Sequence, residues 1–365
     1  MKIRSIEAIP FRLPLKHVVK FAAGSLSHLE HVLVRILSDE GAEGWAEAPA
    51  RQMIYGETSK SIVAAIDDYF SPALAGLDPF NIEEAWRRMA VLPWNHCAKA
   101  GIDVALHDLC AKLLNIPLYK LIGGFGGPIA VCHILGTSAP QAVAEEAIEL
   151  HERLGISWFK LKAGLDPAGD TTMIGAVRDA LPDAQLTADC NQGYSAEIAE
   201  RTLPTWDQFQ LAWIEEPCPG TDPVGRSRVA AVCRTPFMLD ESAFLPHEIV
   251  REAELGNCRI VSIKTARTGV TKSKEVMHVA EAHGMKVVVG SQAESELGTL
   301  AGAHLATAHH STSMSSSELS FFLDVDDRIT RDTLTITGGK LKLPPGPGTG
   351  LDIDEQRLNR LRVDR

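Results

Sequence analysis

A (β/α)8-type barrel with an N-terminal α+β capping domain, completed by the C-terminal segment, is the fold predicted for this 365-residue chain. Two observations predict it. Charged residues recur at nearly constant spacing, Lys160 and Lys162, then Asp189, Glu215, Asp240 and Lys264, with 27, 26, 25 and 24 residues between successive stations from Lys162 onward. One strand, one helix and two short loops fill such an interval, so each station falls at the end of one repeating β/α unit. Each station also closes an apolar run suited to a strand buried on both faces. Trp158-Phe159 precede the lysines, Leu186 to Ala188 precede Asp189, Leu211 to Ile214 precede Glu215, Phe237 to Leu239 precede Asp240, and Ile260 to Ile263 precede Lys264.

Ahead of the barrel, Met1 to Pro14 and His31 to Leu37 alternate like strands, and Asp39-Glu40-Gly41 turns the chain toward a third at Gly44 to Ala48. Helices are expected at Ser59 to Ser71, Ile82 to Met89 and Ala98 to Leu114. The glycine-rich run Gly123 to Pro128 marks a boundary, giving a cap over 1–125 and a barrel over 126–325. Inside the barrel the interval continues outward: Ile129 to Cys132 ends at His133, Lys286 to Val289 ends at Gly290, and a weaker stretch from Ser313 to Ser316 leads to Glu318. That makes eight strand ends, with alanine-rich helices such as Pro140 to Leu154 and Lys272 to His283 between them. In the tail, 326–365, Leu334 to Thr337 and Lys340 to Leu343 read as strands returning to the cap sheet. A doubly wound open sheet would not bring polar residues to successive strand ends around one mouth, and no G-x-G-x-x-G opens a helix.

The net charge of -11 is spread along the chain, which excludes the basic stripe of a nucleic-acid binder. No apolar stretch approaches the roughly 20 residues that span a bilayer, and Met1-Lys2-Ile3-Arg4 leads straight into a strand, so a soluble cytoplasmic protein is expected. A homo-oligomer acting on a small-molecule carboxylate is the expected working form. Seven cysteines without C-x-x-C spacing read as reduced packing residues, with Cys190 the one to follow because it adjoins Asp189. The acidic run Asp324 to Asp327 reads as a solvated turn.

Three carboxylates at successive strand ends, Asp189, Glu215 and Asp240, with no set of cysteine or paired histidine ligands accompanying them, describe a hard oxygen site for Mg²⁺ or Mn²⁺. Asn191, Glu216 and Glu241 are expected to support those ligands. Lys160 and Lys162 share a strand and, with period-two alternation, both face the interior; their crowding should depress at least one pKa. Lys264 lies four strands further on, across the barrel. His133 is balanced between a mouth residue and a core histidine.

These residues carry a resemblance. Trp158-Phe159-Lys160-Leu161-Lys162 resembles the K-x-K motif of the enolase superfamily, and Ala188-Asp189-Cys190-Asn191, Trp213-Ile214-Glu215-Glu216-Pro217 and Leu239-Asp240-Glu241-Ser242 resemble its three metal-ligand segments. Ser262 to Gly269, reading Ser-Ile-Lys-Thr-Ala-Arg-Thr-Gly, matches the opposing lysine. Five motifs in order, over essentially the whole chain, resemble the muconate lactonizing branch. The resemblance implies a metal-dependent isomerase working through a stabilised enolate, with Lys160, Lys162 and Lys264 as its catalytic lysines. Activities in that branch include muconate cycloisomerisation in aromatic-compound catabolism, dipeptide epimerisation, N-acylamino acid racemisation and o-succinylbenzoate synthesis.

Cap segments Phe21 to His31 and Arg51 to Thr58 resemble the substrate-covering loops of muconate cycloisomerases, and Glu318-Leu319-Ser320 fits the eighth strand of that type. By this likeness Arg51 and Tyr55 hold a remote carboxylate, and His133, Gln292 and Glu318 complete the substrate site. The acid in the loop Ser291-Gln292-Ala293-Glu294-Ser295 departs from the pattern and bears on the substrate. No Asp-x-Asp segment ends the barrel, which disfavours an α-ammonium substrate. The alternatives are a racemase or epimerase of the same superfamily, a Schiff-base aldolase, and a catalytically silent carboxylate-binding protein.

Overall fold

The structure, a computed structural model, describes residues 1–22, 24–313 and 315–364, the side chain of Ser313 excepted. Strands β1 (Ile3–Phe21), β2 (Gly24–Ser38) and β3 (Glu43–Pro49) form an antiparallel meander. The sheet is buried on both faces. Val32, Val34, Ile36, Ala46 and Ala48 belong to the main core, which includes the helix His96–Leu113. Contact with that helix is close enough that a Cβ on Gly44 would lie 2.1 Å from the Ala105 carbonyl oxygen. Ile9, Phe11, Leu13, Leu29 and Leu33 pack on the opposite side with Ile329, Ile353 and Leu358 of the tail.

The first hairpin is longer than the alternation predicted. β1 runs through to Phe21 with a register break between Pro14 and Val19, so most of the 21–31 segment expected as a loop is the hairpin's far end. The helix beginning at Ser59 is capped by Thr58, whose side chain accepts from Ser61 N, and continues through a π turn, Ile66–Phe70, to Leu74.

The barrel follows, as β4 (Ile129–Ala130), β5 (Cys132–Leu135), β6 (Trp158–Lys162), β7 (Gln185–Asp189), β8 (Ile214–Glu215), β9 (Phe237–Leu239), β10 (Ile260–Ile263) and β11 (Lys286–Val289). Strands β5 to β11 make one parallel seven-stranded sheet in chain order. At the eighth station the chain makes a bridge instead of the strand expected there: Cys132 N donates to Ser317 O (2.8 Å), Ser317 N to Ala130 O (2.9 Å) and Glu318 N to Val289 O (2.9 Å). Both sheet edges are thereby satisfied by one segment. Met314, within the expected strand, lies outside the described residues.

In the tail, β12 (Ile336–Thr337) and β13 (Lys340–Leu341) form a hairpin on the left-handed pair Gly338-Gly339 and join β4, not the cap sheet. The cap is reached instead by the helix Glu355–Leu361 and by Val363, whose N–H donates to Pro10 O at 3.1 Å. Asp324 is no part of a solvated turn. It is buried with an oxygen 3.8 Å from His17, while Asp327 accepts from Arg360 (2.7 Å).

Buried polar side chains fasten cap to barrel. Glu47 on β3 accepts from Ser295 N (2.9 Å), Ser295 Oγ and Gly298 N (2.9 Å), and pairs with His31 beside it. His304 joins a barrel helix to two other segments: its Nδ1 accepts from Tyr119 N (3.1 Å), which leaves Nε2–H to donate to Thr349 O (3.1 Å). That arrangement requires a neutral ring, and burial pulls the His304 pKa down to about 4.

Glu47→Ala should lower stability by about 3–5 kcal/mol, because two backbone donors and His31 lose a buried charged partner; urea unfolding measures it, and a loss below about 1 kcal/mol would show the strut to be dispensable. Since the folded value of His304 lies below the unfolded value near 6.5, its contribution is complete above pH 6.5 and is lost as pH falls through about 4. The urea midpoint of His304→Gln should therefore fall less steeply over that window than that of the parent chain.

Candidate active site

Strand alternation and parallel register bring the charged stations to one mouth. Lys162 on β6 stands beside Asp189 on β7, which stands beside Glu215 on β8. Lys160, two residues before Lys162, is on the same face one layer deeper. Asp240 and Lys264 directly follow β9 and β10. The loops that receive these residues are strained: Asn191 and Gln192 after β7, Glu216 after β8 and Ala293 after β11 all have left-handed backbone, at φ 41, 59, 43 and 59°. Each such non-glycine residue costs of order 1–3 kcal/mol and persists only where surrounding structure enforces it.

The enforcing contacts are visible. Glu216 Oε1 accepts from Asp240 N (2.6 Å), Ser242 N (3.0 Å) and Ser242 Oγ (2.6 Å), while its Oε2 takes Arg226 Nη2 (2.8 Å). Thus Glu216 props the backbone that presents Asp240. Asn191 accepts from Lys162 Nζ (2.9 Å) and donates to Glu241 (3.3 Å), bridging two stations.

Cations and carboxylates interleave. Lys160 Nζ lies 2.7 Å from Glu318, 2.9 Å from Glu215 and 3.3 Å from Asp189, with 1% of its side chain exposed. Lys162 Nζ donates to Asp189 (2.6 Å) and keeps 13% exposure, so it is the lysine that reaches the opening. Lys264 pairs with Asp240 Oδ2, and Arg267 reaches Asp240 Oδ1 at 2.7 Å. Burial opposes the charge on Lys160, but Glu215, Glu318 and Asp189 together outweigh it and raise its pKa well above the usual lysine range. Crowding by Lys162 therefore does not depress Lys160, and the Asp189 carboxylate contacts both ammonium groups. Burial likewise opposes the charge on Asp240, yet Lys264 and Arg267 hold it well below the usual carboxylate range.

Glu215, Asp240 and Glu241 each offer an oxygen within 4.8 Å of the others, the group among the described residues that could hold a metal ion. Three of their oxygens, Glu215 Oε1, Glu241 Oε2 and Asp240 Oδ1, are buried without a hydrogen bond, and only the last has a cation beside it, Arg267 Nη1 at 2.7 Å. Burial, then the neighbouring Glu216, Asp240 and Asp189, pushes Glu241 up to about 8. Crowded, under-donated, all-oxygen carboxylates fit a hard divalent cation. Of the triad expected from sequence, Glu215 and Asp240 belong to this group. Asp189 adjoins Glu215 but turns an oxygen to Lys162, and Glu241, expected as a supporting residue, joins the cluster.

The expected substrate residues divide. Glu318 stands at the mouth against Lys160. Gln292 is buried with neither amide atom hydrogen-bonded. Tyr55 sits over Arg267, whose Nη1 donates to its hydroxyl at 2.7 Å. Arg51 is not a free clamp: it is buried, and its guanidinium donates to the carbonyls of Ala50, Gln292 and Ala293, fastening the cap to the seventh-strand loop. His133 is not a mouth residue either. It pairs in register with the core residue Phe159, one out of phase with Lys160, so it faces outward, bonded to Ser320 Oγ (3.0 Å) and 3.6 Å from Glu146. The unexpected acid Glu294 is taken up within its own loop by Ser291 Oγ (2.5 Å) and Gln292 N (2.8 Å). Cys190 is fully buried, and burial followed by Asp189 raises its thiol pKa well above normal, which makes it inert packing. The sequence reading missed Arg267 as a site residue. Its signal was available, an arginine one helical turn after Lys264 on the first turn beyond a buried strand.

Comparison with known proteins agrees with this architecture. Residues 5–123 match the family described as mandelate racemase / muconate lactonizing enzyme, N-terminal domain, and residues 142–357 match the enolase C-terminal domain-like family. The structure of a muconate lactonizing enzyme from M. smegmatis, complexed with muconolactone, superimposes with a TM-score of 0.98 at 40% identity, over 100% of both chains. An N-succinyl-L-Arg/Lys racemase from Bacillus cereus is 31% identical over 370 residues, 100% of this chain and 98% of its own length. A dipeptide epimerase from Enterococcus faecalis, complexed with Mg and the dipeptide L-Leu-L-Tyr, superimposes with a TM-score of 0.91 at 27% identity, covering 96% of this chain and 100% of that one. With both domains matched and the lysine and carboxylate stations set around one mouth, the chain belongs to the enolase superfamily, in its muconate lactonizing enzyme branch.

Proposed function

We propose that the chain is a divalent-metal-dependent cycloisomerase that converts cis,cis-muconate, or a close dicarboxylate, to its lactone. The observation that carries this reading is the distribution of partners at the mouth. Asp189, Asp240 and Glu318 are each already paired with a lysine, and Glu294 is consumed inside its loop, so a substrate ammonium group finds no waiting acid among these residues. A dianion without an ammonium group is the complementary ligand. Similarity to the muconolactone-bound enzyme of M. smegmatis supports the same choice.

Glu215, Asp240 and Glu241, with Asp189 adjoining, would hold the Mg²⁺ or Mn²⁺, which supplies positive charge to one substrate carboxylate. The chain's own residues account for the rest. One carboxylate oxygen adds to the conjugated system, forming a C–O bond and moving the π electrons toward the other carboxyl end as an enolate. Lys162 Nζ delivers the proton that forms the new C–H bond, and its exposure at the opening lets it regain one from water. Lys160, held between Glu215 and Glu318, and Lys264, on Asp240, contribute fixed positive charge. The ring of Phe21, at the end of the first hairpin, lies 6.0 Å from Lys162 Nζ and lends it an apolar neighbour on the cap side. A racemase is the second reading, because Lys162 and Lys264 rise from well-separated strands and could address opposite faces of an α-carbon.

Turnover of muconate should exceed that of N-succinyl amino acids and dipeptides by at least about a hundredfold in kcat/KM, and a reversed ranking would replace this reading with the racemase. Lys162→Ala should abolish both lactonisation and exchange of the lactone's α-proton in D₂O, whereas Lys264→Ala should retain partial exchange; loss of opposite enantiomer exchanges in the two variants would instead mark two-face chemistry. Asp240→Asn should weaken Mn²⁺ binding by more than about tenfold with an unchanged circular dichroism spectrum, and unaltered affinity would contradict the metal assignment.

A further inference from the structure

Both oxygens of Asp240 are claimed by cations from the chain that leaves β10: Lys264 takes Oδ2 and Arg267 takes Oδ1 at 2.7 Å. Arg267 has little freedom of its own. It is 1% exposed, Nη2 donates to Ser262 O (2.9 Å), Nη1 donates to Tyr55 OH (2.7 Å), and the guanidinium lies 4.7 Å from the centre of the Phe244 ring. A guanidinium is planar and rigid, so fixing it on three sides fixes the carboxylate on its fourth. Two of those fixings differ in origin. Ser262 belongs to β10, but Tyr55 belongs to the cap, on the short helix Gln52–Tyr55. That helix is itself flanked by Arg51, anchored to the seventh-strand loop.

We propose that Arg267 is a positioning residue through which the cap segment 51–58 sets the orientation of Asp240 and Lys264. With Tyr55 in place, Arg267 is held off its alternative rotamers and Asp240 keeps one orientation toward both Lys264 and the carboxylates Glu215 and Glu241. With Tyr55 withdrawn, the guanidinium loses its cap-side partner and Asp240 its second restraint. The cap segment and the catalytic stations are thereby coupled through one guanidinium. The inference rests on the reading of Asp240 as a metal ligand and of Lys264 as a group acting on the enolate.

Three variants test it, with direct Mn²⁺ titration of the metal-free protein by electron paramagnetic resonance and steady-state kinetics with cis,cis-muconate, or with whichever acid of the panel is turned over. Arg267→Met removes a positive charge beside a ligand, so Mn²⁺ should bind about tenfold more tightly while kcat falls by about a hundredfold and KM changes little. Arg267→Lys keeps the charge and loses the fork, so Mn²⁺ affinity should stay within about threefold of the parent while kcat still falls by about tenfold. Tyr55→Phe should lower kcat several-fold with Mn²⁺ affinity unchanged, and the Tyr55→Phe/Arg267→Met double variant should be no slower than Arg267→Met alone. Multiplicative losses in the double variant, or weaker Mn²⁺ binding in Arg267→Met, would overturn the proposal. Asp240→Asn binding Mn²⁺ like the parent would remove the reading beneath it, a result distinct from either.

Discussion

The arrangement of this molecule turns on keeping several carboxylates ionised in a site almost closed to water. An isolated buried carboxylate is too costly to hold, so each needs a cation or donors within contact distance. The parallel sheet meets that need through register: Lys162 beside Asp189 beside Glu215 along one row, and Lys160 beneath, touching Glu215, Glu318 and Asp189. Lys160 and Asp189 each meet more than one partner of opposite charge, which links the whole row. Substituting one station therefore leaves its neighbours unpaired, and effects of paired substitutions at the mouth should depart from additivity. Glu215 Oε1 and Glu241 Oε2, which remain without donors, mark where the protein's own cations run out.

Fixed positive charge and mobile protons are separated by burial. Lys160 is sealed among three carboxylates, which suits a permanent cation. Lys162 shares Asp189 and Asn191 and retains a path to the opening. Two lysines two residues apart thus acquire different duties from depth alone, with no difference in residue type.

Relatives that racemise, epimerise and lactonise share the fold to a TM-score above 0.9. The cap here is not a loose lid: Glu47 is bonded to Ser295 and Gly298, Arg51 to the carbonyls of 292 and 293, and Tyr55 to Arg267. Rigidity of this kind narrows the ligands accepted, because adaptation of the cover would have to break buried charged hydrogen bonds.

The sequence by itself determined the barrel, the cap and the six charged stations, because alternation and repeat length are local properties that any buried parallel strand must obey. It could not determine which partner each side chain meets. Arg51 reads as an exposed loop arginine until the fold brings the carbonyls of 292 and 293 over it, residues some 240 positions away. His133 sits at the right interval, but a one-residue difference in phase sends its ring outward, and that phase is fixed by pairing with β6. The eighth station is legible as a position and not as a strand, since 317–318 only has to satisfy two existing edges. Arg267 and Tyr55, 212 residues apart, meet because the cap closes over the barrel, and long-range packing of that kind leaves no local trace in the chain.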